Sequence, residues 1–167
     1  MHAAARRLET MVERLRECGC RITPQRLEIL RVLAESRGHP SAETVHRAVA
    51  SRFPSLSLAT VYKTIAVLKK TGEILELAFS DRDNRYDGNR PSPHPHLVCQ
   101  VCGAIIDPNL ESLDALARQV AEATGYRILS HRLEFYGICP DCQKTRDNDA
   151  SPDKPSPATG KNEDGPA

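Results

Sequence analysis

"SLATVYKTIAVLKKTGEILELAFSDRDNRYDG", residues 57 to 88, changes its periodicity part-way along, and that change decides the fold. From Ser57 to Gly72 the apolar residues Leu58, Val61, Ile65 and Leu68 recur at helical spacing. Ser57 stands as N-cap, Gly72 as the stop, and Leu56 and Val61 are placed to form a hydrophobic staple. Beyond Gly72 two short extended runs flank the polar turn "DRDN", the pattern of a β-hairpin.

Three more helical segments precede this one. Leu8, Met11, Val12 and Leu15 form an apolar stripe that stops at Gly19; "TPQRLEILRVLAE" opens with Thr23 as N-cap and Pro24 at the first helical position; "SAETVHRAVASRF" starts at Ser41 and stops before Pro54. Helices followed by a hairpin point to a winged helix-turn-helix. On the last helix the face opposite the core stripe carries Ala59, Thr60, Lys63, Ala66, Val67 and Lys70, with Tyr62 on the flank and Arg21, Arg26 and Lys69 nearby. Small side chains admit a nucleic-acid backbone, and the lysines suit phosphates or base edges. Alone, the same pattern describes a solvated helix; the helix order and the wing turn it toward double-stranded DNA, with Thr60, Tyr62, Lys63 and Arg21 as contacts.

"GNRPSP" reads as a hinge. After it the pattern gives a strand "HLVCQVCGAIID", a helix "NLESLDALARQVAEAT" and a strand "YRILSHRLEFYGIC" in which Leu129, His131, Leu133 and Phe135 share one face. This unit is too small to bury much alone and is expected to dimerise. The tail from Arg146 has no aliphatic residue larger than Ala and is expected to be disordered. The expected architecture is therefore α+β: a winged-helix DNA-binding domain over 1–88, a hinge over 89–95, a small α/β dimerisation domain over 96–145 and a tail over 146–167.

Composition narrows the classes. Hydrophobic content of 40% supports a packed core, and the net charge of +1 argues neither for nor against nucleic acid. No run approaches the ~20 apolar residues of a membrane span, and the N-terminus lacks a signal-peptide stretch, so the expectation is a cytoplasmic protein without a membrane partner. Four of the six cysteines form two C-x-x-C pairs, Cys99/Cys102 and Cys139/Cys142, the arrangement of structural zinc; a redox dithiol, plain buried thiols or an iron centre are the alternatives. Four thiolates complete a tetrahedron and leave no position for water. No His-x-Glu occurs, which argues against a zinc deaminase and for a protein that is not an enzyme. His94 and His96 of "HPH" are then left for a separate site.

"RITPQR", "HPSAETV", "SLATVYKTI", "HPHLVCQVCGAIID" and "HRLEFYGIC" resemble, in order and spacing, the ferric uptake regulator family, and within it the peroxide-responsive repressors. The resemblance runs from about residue 6 to 143. It implies a homodimeric, metal-dependent repressor of palindromic operator DNA, structural Zn(2+) on the four cysteines, and a regulatory Fe(2+) or Mn(2+) site made by His39, Asp87, His94, His96 and Asp107. Three imidazoles and two carboxylates suit such borderline ions independently. Asp107 stands where the family's iron regulators more usually carry Glu, which favours release by peroxide over the alternative, an iron, manganese or zinc uptake regulator. Two features depart from the family pattern. Six residues, two of them proline, separate Asp87 from His94, and Pro93 and Pro95 occupy positions that in some members help form a third site. No third site is expected, His131 reads as a core histidine, and Cys18 and Cys20 read as reduced, non-ligating thiols.

Overall fold

The computed structural model describes residues 2–79, 82–108 and 114–149. Four helices come first: α1 (His2–Glu17), α2 (Pro24–Glu35), α3 (Ala42–Ala50) and α4 (Leu58–Lys70). The starts of α2, α3 and α4 are set by a repeated device. Thr23, Ser41 and Ser57 are extended residues whose hydroxyls accept from the backbone N–H of Arg26, Thr44 and Thr60 at 3.2, 3.2 and 3.3 Å. Each such cap stabilises its helix by about 1 kcal/mol.

The apolar faces of the four helices converge on one core that includes Met11, Leu15, Leu30, Leu33, Val49 and Leu68, all fully buried. On α4 the buried stripe is Val61, Thr64, Ile65 and Leu68; Leu58, expected in it, is only partly buried, and Thr64 takes a core position by donating its hydroxyl to the Thr60 carbonyl at 2.9 Å. His46 ties α3 to the turn before α4 through a 2.8 Å contact with the Leu56 carbonyl.

The hairpin follows as an antiparallel pair, β1 (Leu75–Leu77) and β2 (Arg85–Asp87), with Glu76 opposite Tyr86. Tyr86 is buried in the helical core, so the wing is anchored and not merely appended. Its exit is clamped too. Arg7 donates to the Gly88 carbonyl at 2.7 Å and pairs with the buried Glu73 carboxylate at 2.5 Å. A side chain on Gly88 would meet the Leu33 backbone and the Met11 methyl at 2.9 Å, so only glycine lets the chain leave the wing along this path.

The second half contains a three-stranded sheet of order β4-β3-β5 and two helices. β3 (His96–Cys99) pairs antiparallel with β4 (Ile105–Ile106) and parallel with β5 (Glu134–Gly137); α5 (Asp114–Thr124) lies between β4 and β5 in sequence, and α6 (Pro140–Asp149) closes the described chain. Three expectations change here. "HLVCQVCGAIID" is two strands, because the Cys99–Cys102 turn folds the chain back. The final strand shrinks to Glu134–Gly137, leaving Leu129 82% exposed, Phe135 exposed and His131 half-buried, because the stretch before it finds no strand partner. The presumed tail is helical through Asp149; 150–167, and the expected helix start at 109–113, lie outside the described residues. Among the described residues no helix is long and apolar enough to cross a membrane.

The Arg7–Glu73 pair generates a stability prediction. Arg7→Ala leaves the buried Glu73 carboxylate with only the half-exposed Arg14, 3.3 Å away. Urea denaturation should show a loss of about 3 kcal/mol, the range for breaking a buried pair from one side; an unchanged midpoint contradicts this assignment.

Candidate metal centres

The cysteines meet at one end of the sheet. Cys99 ends β3, and the tight turn after it, with the Gly103 N–H donating to the Cys99 carbonyl at 2.9 Å and Gly103 at φ +71°, returns Cys102 to the same end. The parallel register sets Cys99 opposite Gly137, which brings Cys139 alongside; Cys142 projects from the first turn of α6. The four sulfurs lie within 4.8 Å of one another, with Cys102 and Cys139 at 3.8 Å. Tetrahedral Zn–S bonds of about 2.3 Å give a sulfur spacing of about 3.8 Å. Backbone N–H groups of Cys102 and Cys139 favour the Cys99 thiolate and push it down to about 6, whereas hydrogen bonding to Cys139 pushes Cys142 up to about 12. Four adjacent thiols cannot all ionise without a cation among them.

A second cluster lies between the two halves. His39 sits in the α2–α3 loop at φ +49°, a left-handed conformation uncommon for a side-chain-bearing residue, and the Tyr86 N–H donates to the Pro40 carbonyl at 3.1 Å, fixing this loop against the wing. Asp87, at the end of β2, therefore lies beside it. His94 comes from the hinge, His96 from β3 and Asp107 from the end of β4. Donor atoms of His39, His94, His96 and Asp107 all lie within 4.8 Å of one another. The His39 Nε2 is 3.1 Å from Asp107 Oδ1 and 3.6 Å from Asp87 Oδ2; the His94 Nε2 is 3.3 Å from Asp87 Oδ2 and 3.4 Å from Asp107 Oδ1; the His96 Nε2 is 3.8 Å from Asp107 Oδ1. Ligands about 2.0–2.2 Å from one ion stand roughly 3–3.6 Å apart.

The inward atoms also fit an ion chemically. The three Nε2 atoms and Asp87 Oδ2 are enclosed and make no hydrogen bond. Buried polar atoms without partners are rare, and a set of them converging on one point is the donor set of a cation. Two of these donors are also held from outside. His94 Nδ1 lies 2.7 Å from the Ser92 carbonyl, which selects the tautomer with Nε2 free, and Asp87 Oδ1 accepts from the Asn89 and Arg90 N–H groups at 2.8 and 2.9 Å. Burial opposes ionisation of Asp87, but the adjacent His39 imidazole and the backbone N–H groups of Arg90 and Asn89 hold its carboxyl below the ordinary value. Burial, reinforced by the neighbouring imidazoles, pushes His96 down to about 4. The orienting groups escape sequence reading because most are backbone atoms; only "DGN" after Tyr86 carries a turn signal.

On α4 the structure exposes Tyr62 and Lys63 on one surface, while the Thr60 hydroxyl is held by Ser57 at 2.9 Å and Lys69 is drawn to Glu76. Arg21 is exposed just before α2, and its carbonyl accepts from Arg26 at 2.6 Å. The Tyr62 hydroxyl donates to the Glu43 carboxylate at 2.6 Å, a partner for which the sequence gives no signal.

His96 makes the metal-free protein acid-sensitive. It stays neutral in the fold down to about 4, whereas in the unfolded chain it takes up its proton near 6.5. Its contribution is full above about 6.5 and is lost as pH falls toward about 4, since the unfolded state then binds more protons. Urea denaturation with chelator present should show this decline, flattened in His96→Gln; equal slopes for both proteins contradict it.

The chain is similar to known proteins along most of its length. The model of the Ferric uptake regulator family matches residues 17–136. The peroxide operon regulator of Bacillus subtilis (strain 168) is 40% identical over 141 residues, covering 84% of this chain and 97% of that one. The solved structure of the Helicobacter pylori ferric uptake regulator, described as having three functional metal binding sites, superposes with a TM-score of 0.71 at 26% identity, covering 81% and 93%. A zinc-bound manganese uptake regulator superposes at 0.62 with 33% identity, covering 78% and 98%.

Proposed function

Because the chain belongs to the ferric uptake regulator family, and is thus a metal-responsive regulator, we propose that it is a repressor which binds palindromic operator DNA as a homodimer and is released by peroxide. The observation that carries this reading is the enclosed, unpartnered donor set at the joint. His39 and Asp87 come from the winged-helix half and His94, His96 and Asp107 from the hinge and the second half. An ion held by both sets fixes one orientation of the halves. In a dimer that orientation determines whether two α4 helices stand about one duplex turn apart, roughly 34–36 Å.

The residues divide into two roles. Cys99, Cys102, Cys139 and Cys142 hold zinc and lock the sheet end, a reading supported by the spacing of their sulfurs. His39, Asp87, His94, His96 and Asp107 hold Fe(2+) or Mn(2+), with Asp107 the most exposed donor, at 32%. Thr60, Tyr62, Lys63 and Arg21 meet DNA. The boundaries 1–88, 89–95 and 96–145 follow this division, and the protein acts in the cytoplasm without catalysing a reaction. Exposed Tyr126, Leu129 and Tyr136 supply apolar surface for a second copy.

Peroxide sensing follows from the donor set and from likeness to the peroxide operon regulator. Ferrous iron, when bound, would activate hydrogen peroxide by lending electrons to the O–O bond, which the oxidised imidazole ring returns. One peroxide oxygen is inserted into an imidazole C–H bond of His39 or His94, and the other leaves as water. The altered ring no longer offers the same donor geometry, so the joint loses its ligand and the operator is released.

Peptide mass spectrometry after brief peroxide treatment tests this. A one-oxygen gain on the His39 or His94 peptide should occur with iron and not with manganese, in step with loss of operator binding. Release that tracks oxidation of Cys18 and Cys20, or no release with iron bound, assigns the protein to metal-uptake control instead. Lys63→Ala should weaken operator binding and reduce the log-affinity versus log-salt slope by about 0.9, the loss of one phosphate contact. Unchanged binding in both Lys63→Ala and Tyr62→Ala places DNA reading elsewhere.

A further inference from the structure

Apart from the histidine cluster, the guanidinium groups of Arg85 and Arg132 bridge the wing and the cysteine-rich module, and that of Arg82 also approaches Gly103. Arg85, on β2, donates to the Gly103 carbonyl at 3.2 Å. Arg132, just before β5 and held by Glu134, donates to the Ala78 carbonyl at 3.2 Å beyond the end of β1. Both are charge-assisted bonds that need no metal to form.

Strand alternation explains why the two systems coexist. Tyr86 points into the helical core, so its neighbours Arg85 and Asp87 both face the second half. Across the joint, Gly103 and Asp107 flank β4. One strand of the wing thus meets one short segment twice, through Asp87 at the histidine cluster and through Arg85 at Gly103. The Gly103 carbonyl is itself aimed by the Cys99–Cys102 turn, where its N–H is bonded to Cys99.

We propose that Arg85, braced by Arg132, is a positioning residue for the histidine–aspartate centre. It seats the wing on the module before an ion binds, and with the wing come Asp87 and, through the Tyr86–Pro40 bond, His39. Because the acceptor belongs to the cysteine turn, the state of the four-cysteine site sets the affinity of the other centre. The inference rests on the reading of the histidine–aspartate cluster as a divalent-ion site.

The test uses the full-length, zinc-loaded protein and Mn(II) titrated against a fluorescent chelator. Arg85→Met should weaken Mn(II) binding about 10-fold, within the usual range of coupling between sites, with zinc content and circular dichroism unchanged. Arg85→Lys, which keeps a donor, should recover part of the loss. Should Arg85→Met fail to fold, Arg132→Met carries the same expectation. Amide exchange of the Mn-free protein supplies a second readout: the segments around Tyr86 and Gly103 should exchange faster in either Met variant. Unchanged Mn(II) affinity in a folded, zinc-loaded variant overturns the proposal. If the parent and His94→Ala bind Mn(II) alike, the divalent-ion reading has failed instead; exchange then decides the latch, and unchanged exchange overturns it.

Discussion

The joint between the two halves is built around buried polar atoms that the protein itself does not pair. His39, His94, His96 and Asp87 are each at most 4% exposed, and their inward atoms face one another without hydrogen bonds. Leaving one such group unsatisfied costs about 1–3 kcal/mol, so several at one point form a locus of instability that an ion removes. The surroundings hold the donors there regardless. The Gly38–Pro40 loop keeps His39 in a left-handed backbone conformation, Arg7 grips the chain at Gly88, and backbone N–H groups immobilise Asp87. Backbone strain of this kind persists where the fold over-determines it, and is commonest at functional sites.

The two centres use opposite donor chemistry for opposite purposes. In the proposed function four thiolates would enclose a soft, closed tetrahedron joining the ends of β3 and β5 to α6, in a module whose buried aliphatic residues among those described, Val98 and Ile105, are few. Such a module depends on its clasp and on a covering partner. Imidazoles and carboxylates bind more weakly and exchangeably, as a sensor requires, and in the proposed account the more exposed Asp107 side admits both metal and peroxide.

Much of this was legible in the sequence, for local reasons. Helix starts at Thr23, Ser41 and Ser57, the stop at Gly72 and the hairpin after it are encoded by short-range capping and periodicity, and the structure follows them. The paired cysteines were legible because each pair lies within one turn. The second half is less legible. Gly103 after Cys102 is a turn signal that splits the expected strand, and the run before Glu134 looks like a strand yet has no strand partner among the described residues. The regulatory cluster is a different case. Its donors come from residue 39 to residue 107 on separate loops and strands, so no spacing rule unites them, and only the family resemblance gathered them. Ser92, Glu43 and Arg85 contribute through backbone partners or long-range contacts that leave no pattern.

In the proposed function metal and operator act on one orientation of the two halves, and linkage makes that coupling quantitative. The factor by which Mn(II) tightens operator binding must equal the factor by which operator tightens Mn(II) binding. Both are measurable on the zinc-loaded protein by titrating DNA at saturating and zero Mn(II), and Mn(II) with and without saturating DNA. Equal factors of about 5–150 are expected, collapsing to one in His94→Ala. Operator affinity indifferent to Mn(II) in the unmodified protein would contradict it.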